Sequence, residues 1–206
     1  MKTKIISSQS KLSLLWVNAA LRLSKIVAIP TDTVYGIAVK ANRAANIEKL
    51  YNVKSREHTK AIPVLLGDIF QLKQITPEVT PDLIKLAKRF WPGPLTIIIP
   101  KHPNLPENLS PNPTLGIRIP NHPITLSILK SVGPLAVTSA NMSGGADSSS
   151  AQEVLDQLDG LIHLIVDGGK TDLGVPSTVV DLTGKEIKIL RAGSIEFAEI
   201  QEALSI

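Results

Sequence analysis

The sequence predicts one α/β domain over residues 1–206, built on a mixed parallel and antiparallel sheet. Three observations carry that expectation. Short runs rich in Val, Ile and Leu, such as "KIVAIP", "GIAVK" and "PLTIIIP", are bounded by proline or polar residues and read as buried strands. Between such runs lie stretches like "PDLIKLAKRFW", whose apolar residues recur three or four apart, the helical period. Strands and helices do not alternate strictly, because "KIVAIP" leads through the polar turn "TDTVY" straight into "GIAVK". A purely parallel sheet would need a crossover there.

The elements follow in order. Ser8 or Ser10 is placed to cap a first helix, on which Leu14, Val17 and Leu21 share a face. "KIVAIP" is a strand ended by Pro30, "GIAVK" a second, and "AANIEKLYNVKS" a helix whose Ile47, Leu50 and Tyr51 turn inward. "AIPVLLGD" is a strand in which Pro63 points to an edge or a strand start. Thr80 followed by Pro81 opens the helix "PDLIKLAKRFW". "PGPLTIIIP" is a strand, "PENLSPNP" a loop, "TLGIRIP" a strand, "HPITLSILKSV" a short helix and "PLAVTSA" a strand. "NMSGGADSSS" is a loop, after which Ser150 and Glu153 form a capping box for "AQEVLDQL". Strands "LIHLIVD", "STVVDL" and "EIKILR" close the chain with a helix from about Ser194.

Composition narrows the function. The chain is 43% hydrophobic and 19% charged, ordinary for a globular protein. It has no cysteine, which removes disulfides and thiolate metal sites. Lys11 interrupts any signal-peptide core, and runs such as "LTIII" are too short to span a bilayer, so a cytoplasmic protein without membrane contact is expected. The net charge of +4 favours an anionic partner, a nucleotide or a nucleic acid. Aromatic residues make up only 3%, too few to stack many exposed bases.

Five segments could carry chemistry. "TDTVYG" sets Thr31, Asp32 and Thr33 at the end of a buried strand, more hydroxyls than a plain hairpin needs. "VKSREHTK" holds Lys54, Arg56 and Lys60, which read either as a solvated basic loop or as a phosphate grip. "TSANMSGG" offers Thr138, Ser139, Asn141 and Ser143 before paired glycines, either a self-satisfied turn or a loop whose N–H groups meet an anion. Arg118 stands in the apolar strand "LGIRIP", either facing outward or buried against an anion. Ser177 and Thr178 open a strand, and Arg191 closes another. Other signals fail. "DGGKTD" lacks the first glycine of a P-loop, since Leu164 stands there, and the four histidines show no metal-ligand spacing. No G-x-S-x-G elbow is present.

Taken in order, "PTDTVYG", "VKSR", "FWPGPLT", "IRIPNHP", "TSAN", "DGG" and "STVVDL" resemble the YrdC/TsaC family of threonylcarbamoyl-AMP synthases, over about residues 10–195. The resemblance implies a twisted mixed sheet flanked by helices around a basic concave cleft. It implies synthesis of threonylcarbamoyl-adenylate and pyrophosphate from L-threonine, bicarbonate and ATP, with Mg²⁺ carried by the ATP and no metal held by protein side chains. A partner complex then transfers the threonylcarbamoyl group to tRNA. By the same resemblance, Lys54 and Arg56 match a K-x-R motif, and Ser139 and Asn141 an S-x-N motif, all four catalytic and ATP-binding. Thr33, Arg118, Thr138 and Ser177 match threonine-binding positions, and Lys60, Ser148 and Arg191 match positions near the nucleotide. Many relatives read Pro-Ser-Ala-Asn where this chain reads "TSAN". A longer branch adds a C-terminal domain that this 206-residue sequence is expected to lack. Two other functions fit the same basic cleft: a non-catalytic module binding double-stranded RNA or tRNA, and a carbamoyl-adenylate enzyme with another carbamoyl source. Retention of both motifs favours the synthase over the first of these.

Overall fold

Alternating strand residues divide this protein into two unequal apolar layers, and the smaller layer leaves room for a cleft. The computed structural model describes residues 2–184 and 186–205, so Met1, Lys185 and Ile206 of the expected 1–206 domain lie outside it. The elements are β1 (Lys4–Ser7), α1 (Ser13–Arg22), β2 (Val27–Ile29), β3 (Gly36–Lys40), α2 (Ala44–Lys54) and β4 (Val64–Leu65). Then come α3 (Pro81–Phe90), β5 (Leu95–Pro100), β6 (Thr114–Arg118), α4 (Pro123–Val132) and β7 (Leu135–Ser139). The chain ends with α5 (Ala151–Leu158), β8 (Leu164–Asp167), β9 (Thr178–Asp181), β10 (Lys188–Arg191) and α6 (Phe197–Ser205). Short 3-10 turns occupy Ile69–Gln74 and Glu107–Leu109. Among the described residues no helix is long and apolar enough to cross a membrane.

The ten strands form one sheet in the order β1-β8-β2-β3-β7-β4-β6-β5-β9-β10. Pairs β1/β8, β2/β8, β4/β6 and β5/β9 are parallel, and the other five are antiparallel, so the sheet is mixed as expected. Ile37, Val64, Ile97, Ile117, Ala136 and Val180 point into the larger core, which also takes in side chains of α2, α3, α5 and α6. On the other face Val17 and Leu21 of α1 join Ile128 and Leu129 of α4 over Val27, Ala38, Leu135 and Leu164.

Several local expectations hold. The Thr80 hydroxyl caps α3 by accepting from Leu83 N at 3.2 Å. Ser150 caps α5 by accepting from Glu153 N, while the Glu153 carboxylate accepts from Ser149 N instead of closing a full capping box. One expectation is corrected. Neither Ser8 nor Ser10 caps α1: its N-cap is Leu12, and Ser10 serves the preceding turn by accepting from Leu12 N and Ser13 N. The residues before that turn form β1, a half-exposed edge strand whose partner, β8, lies far along the chain. Pro63 stands at a strand start, the second of the two readings given for it, and the strand is central; its carbonyl accepts from Val137 N.

Candidate active site

The period-2 pattern that fills the core also builds the floor of a cleft. Gly36, Leu65, Thr96, Gly116, Arg118 and Val137 alternate with core residues on β3, β4, β5, β6 and β7 and line a cavity of about 320 Å³. A side chain at position 36 would put its Cβ 2.5 Å from Val137 Cγ1, so the glycine of "TDTVYG" leaves the room that the Val137 side chain fills on the cleft floor.

One corner is made by "TDT", "FWPGP" and β6. Arg118 is buried, and its guanidinium donates to Gly93 O (2.9 Å), Thr33 Oγ1 (2.8 Å) and Asp32 Oδ1 (2.5 Å). The turn "PGP" therefore presents a carbonyl to the arginine, while Trp91 Nε1 fastens that turn by donating to Leu95 O. Burial pulls the Arg118 pKa down, and the adjacent Asp32 charge opposes this. Thr31 Oγ1 donates to Val34 O at 2.7 Å and accepts from the N–H groups of Thr33 and Val34, an internal clasp for the turn. Tyr35 reaches the facing loop, accepting from Gly168 N and donating to Gly169 O, and burial raises its pKa to about 12.

A second cluster joins the ends of α2 and β7. Lys54, only 2% exposed, donates to Ser139 O, to Ser139 Oγ at 3.3 Å and to Asn141 Oδ1 at 2.9 Å. Asn141 donates onward to Gly145 O at 2.6 Å, and Ser143 N donates back to Lys54 O. Burial, helped by the neighbouring Arg56 charge and opposed by Asp147, lowers the Lys54 pKa to about 8. Ser55 follows in the left-handed region (φ 49°) and turns the chain so that Arg56 reaches the cleft wall. Arg56 donates to the carbonyls of Lys60 and Ala61.

The third wall comes from β9 and β10. Arg191 donates from Nε to Ser177 O and from Nη2 to Ser177 Oγ, both at 3.0 Å. Ser177 Oγ also shares a hydrogen bond of 2.7 Å with Thr96 Oγ1. Asp147 is the carboxylate among the lining residues; burial lowers the pKa of both Lys54 and Arg191, and the Asp147 charge opposes this at each.

The structure thus brings Thr33, Arg56, Arg118, Thr138, Ser139, Ser177 and Arg191 onto one cleft. Lys54, Asn141 and Ser148 stand behind its wall. Ser148 is fully buried and donates to Ala140 O, which steadies the turn after β7. Lys60 points to solvent, with Glu57 3.6 Å away. Thr96 and Asp147 also line the cleft without having been expected there, and Asp32, named only as part of "TDTVYG" and given no role, lies just behind it. Asp32 had a signal, an acid inside a run of buried residues, whereas Thr96 reads as an ordinary strand residue and Asp147 as a loop residue. Among the described residues no three His, Asp or Glu side chains gather to hold a metal.

Comparison with known proteins adds three findings. The profile of the family of Sua5, YciO and YrdC, described as "Telomere recombination", matches residues 19–193. The chain is 39% identical over 192 residues to the threonylcarbamoyl-AMP synthase of Bacillus subtilis (strain 168), covering 90% of this chain and 55% of that one. It is 32% identical over 188 residues to the putative threonylcarbamoyl-AMP synthase of Mycobacterium tuberculosis (strain H37Rv), covering 91% and 87%. Its fold superposes on Sua5 of P. abyssi complexed with L-threonine with a TM-score of 0.93 at 34% identity, over 98% of this chain and 61% of that one. E. coli YciO, at 23% identity and a TM-score of 0.80 over 95% of this chain and 97% of its own, shares the fold. The chain spans about half the length of some curated relatives, 55% for those of B. subtilis and Pyrococcus abyssi.

Proposed function

The chain belongs to the Sua5/YciO/YrdC family, and on that premise we propose that it makes L-threonylcarbamoyl-adenylate and pyrophosphate from L-threonine, bicarbonate and ATP. The observation that carries this reading is the cleft itself: Arg118, held in place at one wall, faces a space shared with Arg56 and Arg191. That arrangement suits two anionic substrates, an amino-acid carboxylate and a polyphosphate. A relative with this fold is known complexed with L-threonine.

The threonine amine and bicarbonate give a carbamate with loss of water. A carbamate oxygen then attacks the ATP α-phosphorus, and pyrophosphate leaves with the electron pair of the broken P–O bond. Three of the five Arg118 N–H groups are held by protein acceptors, and the two others suit a carboxylate. Arg56 and Arg191 stabilise the charge gathered on the phosphoryl oxygens, and Lys54, bonded to Ser139 and Asn141, holds the turn that brings Ser139 to the cleft wall. Mg²⁺ enters with ATP as the metal–nucleotide substrate, and Asp147 is the cleft carboxylate that can meet it through its water shell. The product is an activated acyl adenylate; we place its use in a complex that modifies tRNA, in the cytoplasm where ATP and tRNA are found.

The test is mass detection of threonylcarbamoyl-adenylate made from ¹³C-bicarbonate, threonine and ATP. Label in the carbamoyl carbon, with pyrophosphate released in equal amount, supports the reading. Product formed only with a different carbamoyl donor overturns it. So does the absence of product together with salt-sensitive binding of double-stranded RNA.

A further inference from the structure

From the contacts that hold the Arg118 guanidinium we infer that Asp32 is a positioning residue for the amino-acid substrate, acting through Arg118. The inference rests on the threonine-dependent activity proposed above.

A guanidinium can only donate, so in the 2.8 Å contact with Arg118 Nη1 the Thr33 oxygen accepts. Arg118 Nε is held by Gly93 O and Nη2 by Asp32 Oδ1, so three acceptors fix the guanidinium plane at the wall that Thr33 lines. Those three contacts set the direction of the two N–H groups left over, which suit the substrate's carboxylate.

Asp32 sustains this arrangement without lining the cleft. Its Oδ1 accepts from Arg118 Nη2 at 2.5 Å and from Asn121 N at 3.0 Å, and both side chains of the ion pair are 7% exposed. Its Oδ2 is buried without a hydrogen-bond partner among the described residues. A carboxylate buried with one oxygen unsatisfied is a poor structural device. It does supply the only counter-charge bonded to Arg118 among the described residues, and without it the fork can turn away from Thr33.

The experiment is a double-mutant cycle of Asp32→Asn, Arg118→Gln and both together, read as KM for threonine and for ATP in pyrophosphate release, with a thermal melt of each protein. Asp32→Asn is expected to raise the threonine KM on the order of tenfold and to move the ATP KM by less than about twofold. The double variant should bind threonine no worse than Arg118→Gln alone. Equal losses for both substrates, or losses that multiply in the double variant, would make Asp32 a merely structural residue and overturn the inference. A second variant, Asp32→Glu, decides if Asp32→Asn does not fold. It keeps a counter-charge for Arg118 and should move the threonine KM by less than about threefold with the ATP KM unchanged within about twofold. A large loss shared by both substrates overturns the inference. Unaltered protein that neither turns over nor binds threonine overturns the proposed function itself, and this inference with it.

Discussion

Lys54 Nζ donates to Asn141 Oδ1 at 2.9 Å across 87 residues of sequence, which joins the lysine of K-x-R to the S-x-N segment in one cluster. Lys54 also holds the carbonyl and hydroxyl of Ser139, and Asn141 holds Gly145 O in turn. The ammonium thus organises the turn that carries Ser139 into the cleft wall, and loss of Asn141 leaves Lys54 with Ser139 alone and Gly145 O without its side-chain donor.

Asn141→Ala should destabilise the protein by roughly 1–3 kcal/mol, because a buried cation loses an acceptor that water does not replace. Urea unfolding should show a lower midpoint at an unchanged m-value. Pyrophosphate release should fall as well, since the Ser139 turn loses its anchor. A stable variant with full activity would show that the Lys54–Asn141 bond is incidental.

The lowered pKa of Lys54, about 8 against an ordinary 10.5, sets two pH dependences. Between those values the unfolded chain binds more protons than the folded one, so stability should rise with pH across that window. Activity should move the other way. If the positive charge supports phosphoryl transfer, kcat/KM for ATP should fall by about tenfold per pH unit once the pH passes the free-enzyme value. Lys54→Met should be slow and lack that limb. A wild-type profile that stays flat well above pH 8 would remove Lys54's charge from the mechanism.

Arg56 and Lys60 lie four residues apart and should behave very differently. Arg56 lines the cleft and binds the carbonyls of Lys60 and Ala61, so Arg56→Ala should lower pyrophosphate release by roughly 10- to 100-fold. Lys60 makes only an exposed contact with Glu57, and its carbonyl, the part Arg56 uses, survives substitution. Lys60→Ala should change stability by less than about 0.5 kcal/mol and leave turnover nearly intact. A large loss in Lys60→Ala would mean that the side chain swings in on nucleotide binding.

Among amino acids, threonine should be best, serine weak, and valine weaker than serine. Serine lacks one methyl, which an apolar wall such as Val137 and Val179 can distinguish by roughly 10–200-fold. Valine keeps the branching but leaves polar groups at Thr33, Thr138 or Ser177 without a partner, a heavier loss. Competition at fixed ATP and bicarbonate reads the order directly. If valine outperforms serine, the pocket recognises shape alone.

Local sequence was enough to read the α/β class, most strands and helices and the caps at Thr80 and Ser150, because each depends on residues within a few positions of one another. "GIAVK" alternates toward two apolar layers, and Thr80 with Pro81 starts a helix wherever the chain places it. It also supplied the motif residues that line the cleft, through ordered short segments. Tertiary structure decided the rest, because partners were chosen by strand order and not by spacing. β1 shows little apolar pattern and exists through its parallel pairing with β8. Arg118 could have faced solvent; burial beside Asp32 and Gly93, 86 and 25 residues away, makes it an immobilised fork. Lys54 and Arg56 looked equivalent, yet the end of α2 sends one behind the wall and the other into the cleft. Local patterns encode periodicity and caps, whereas the direction of a buried charge is set by whichever distant acceptor the fold brings within about 3 Å.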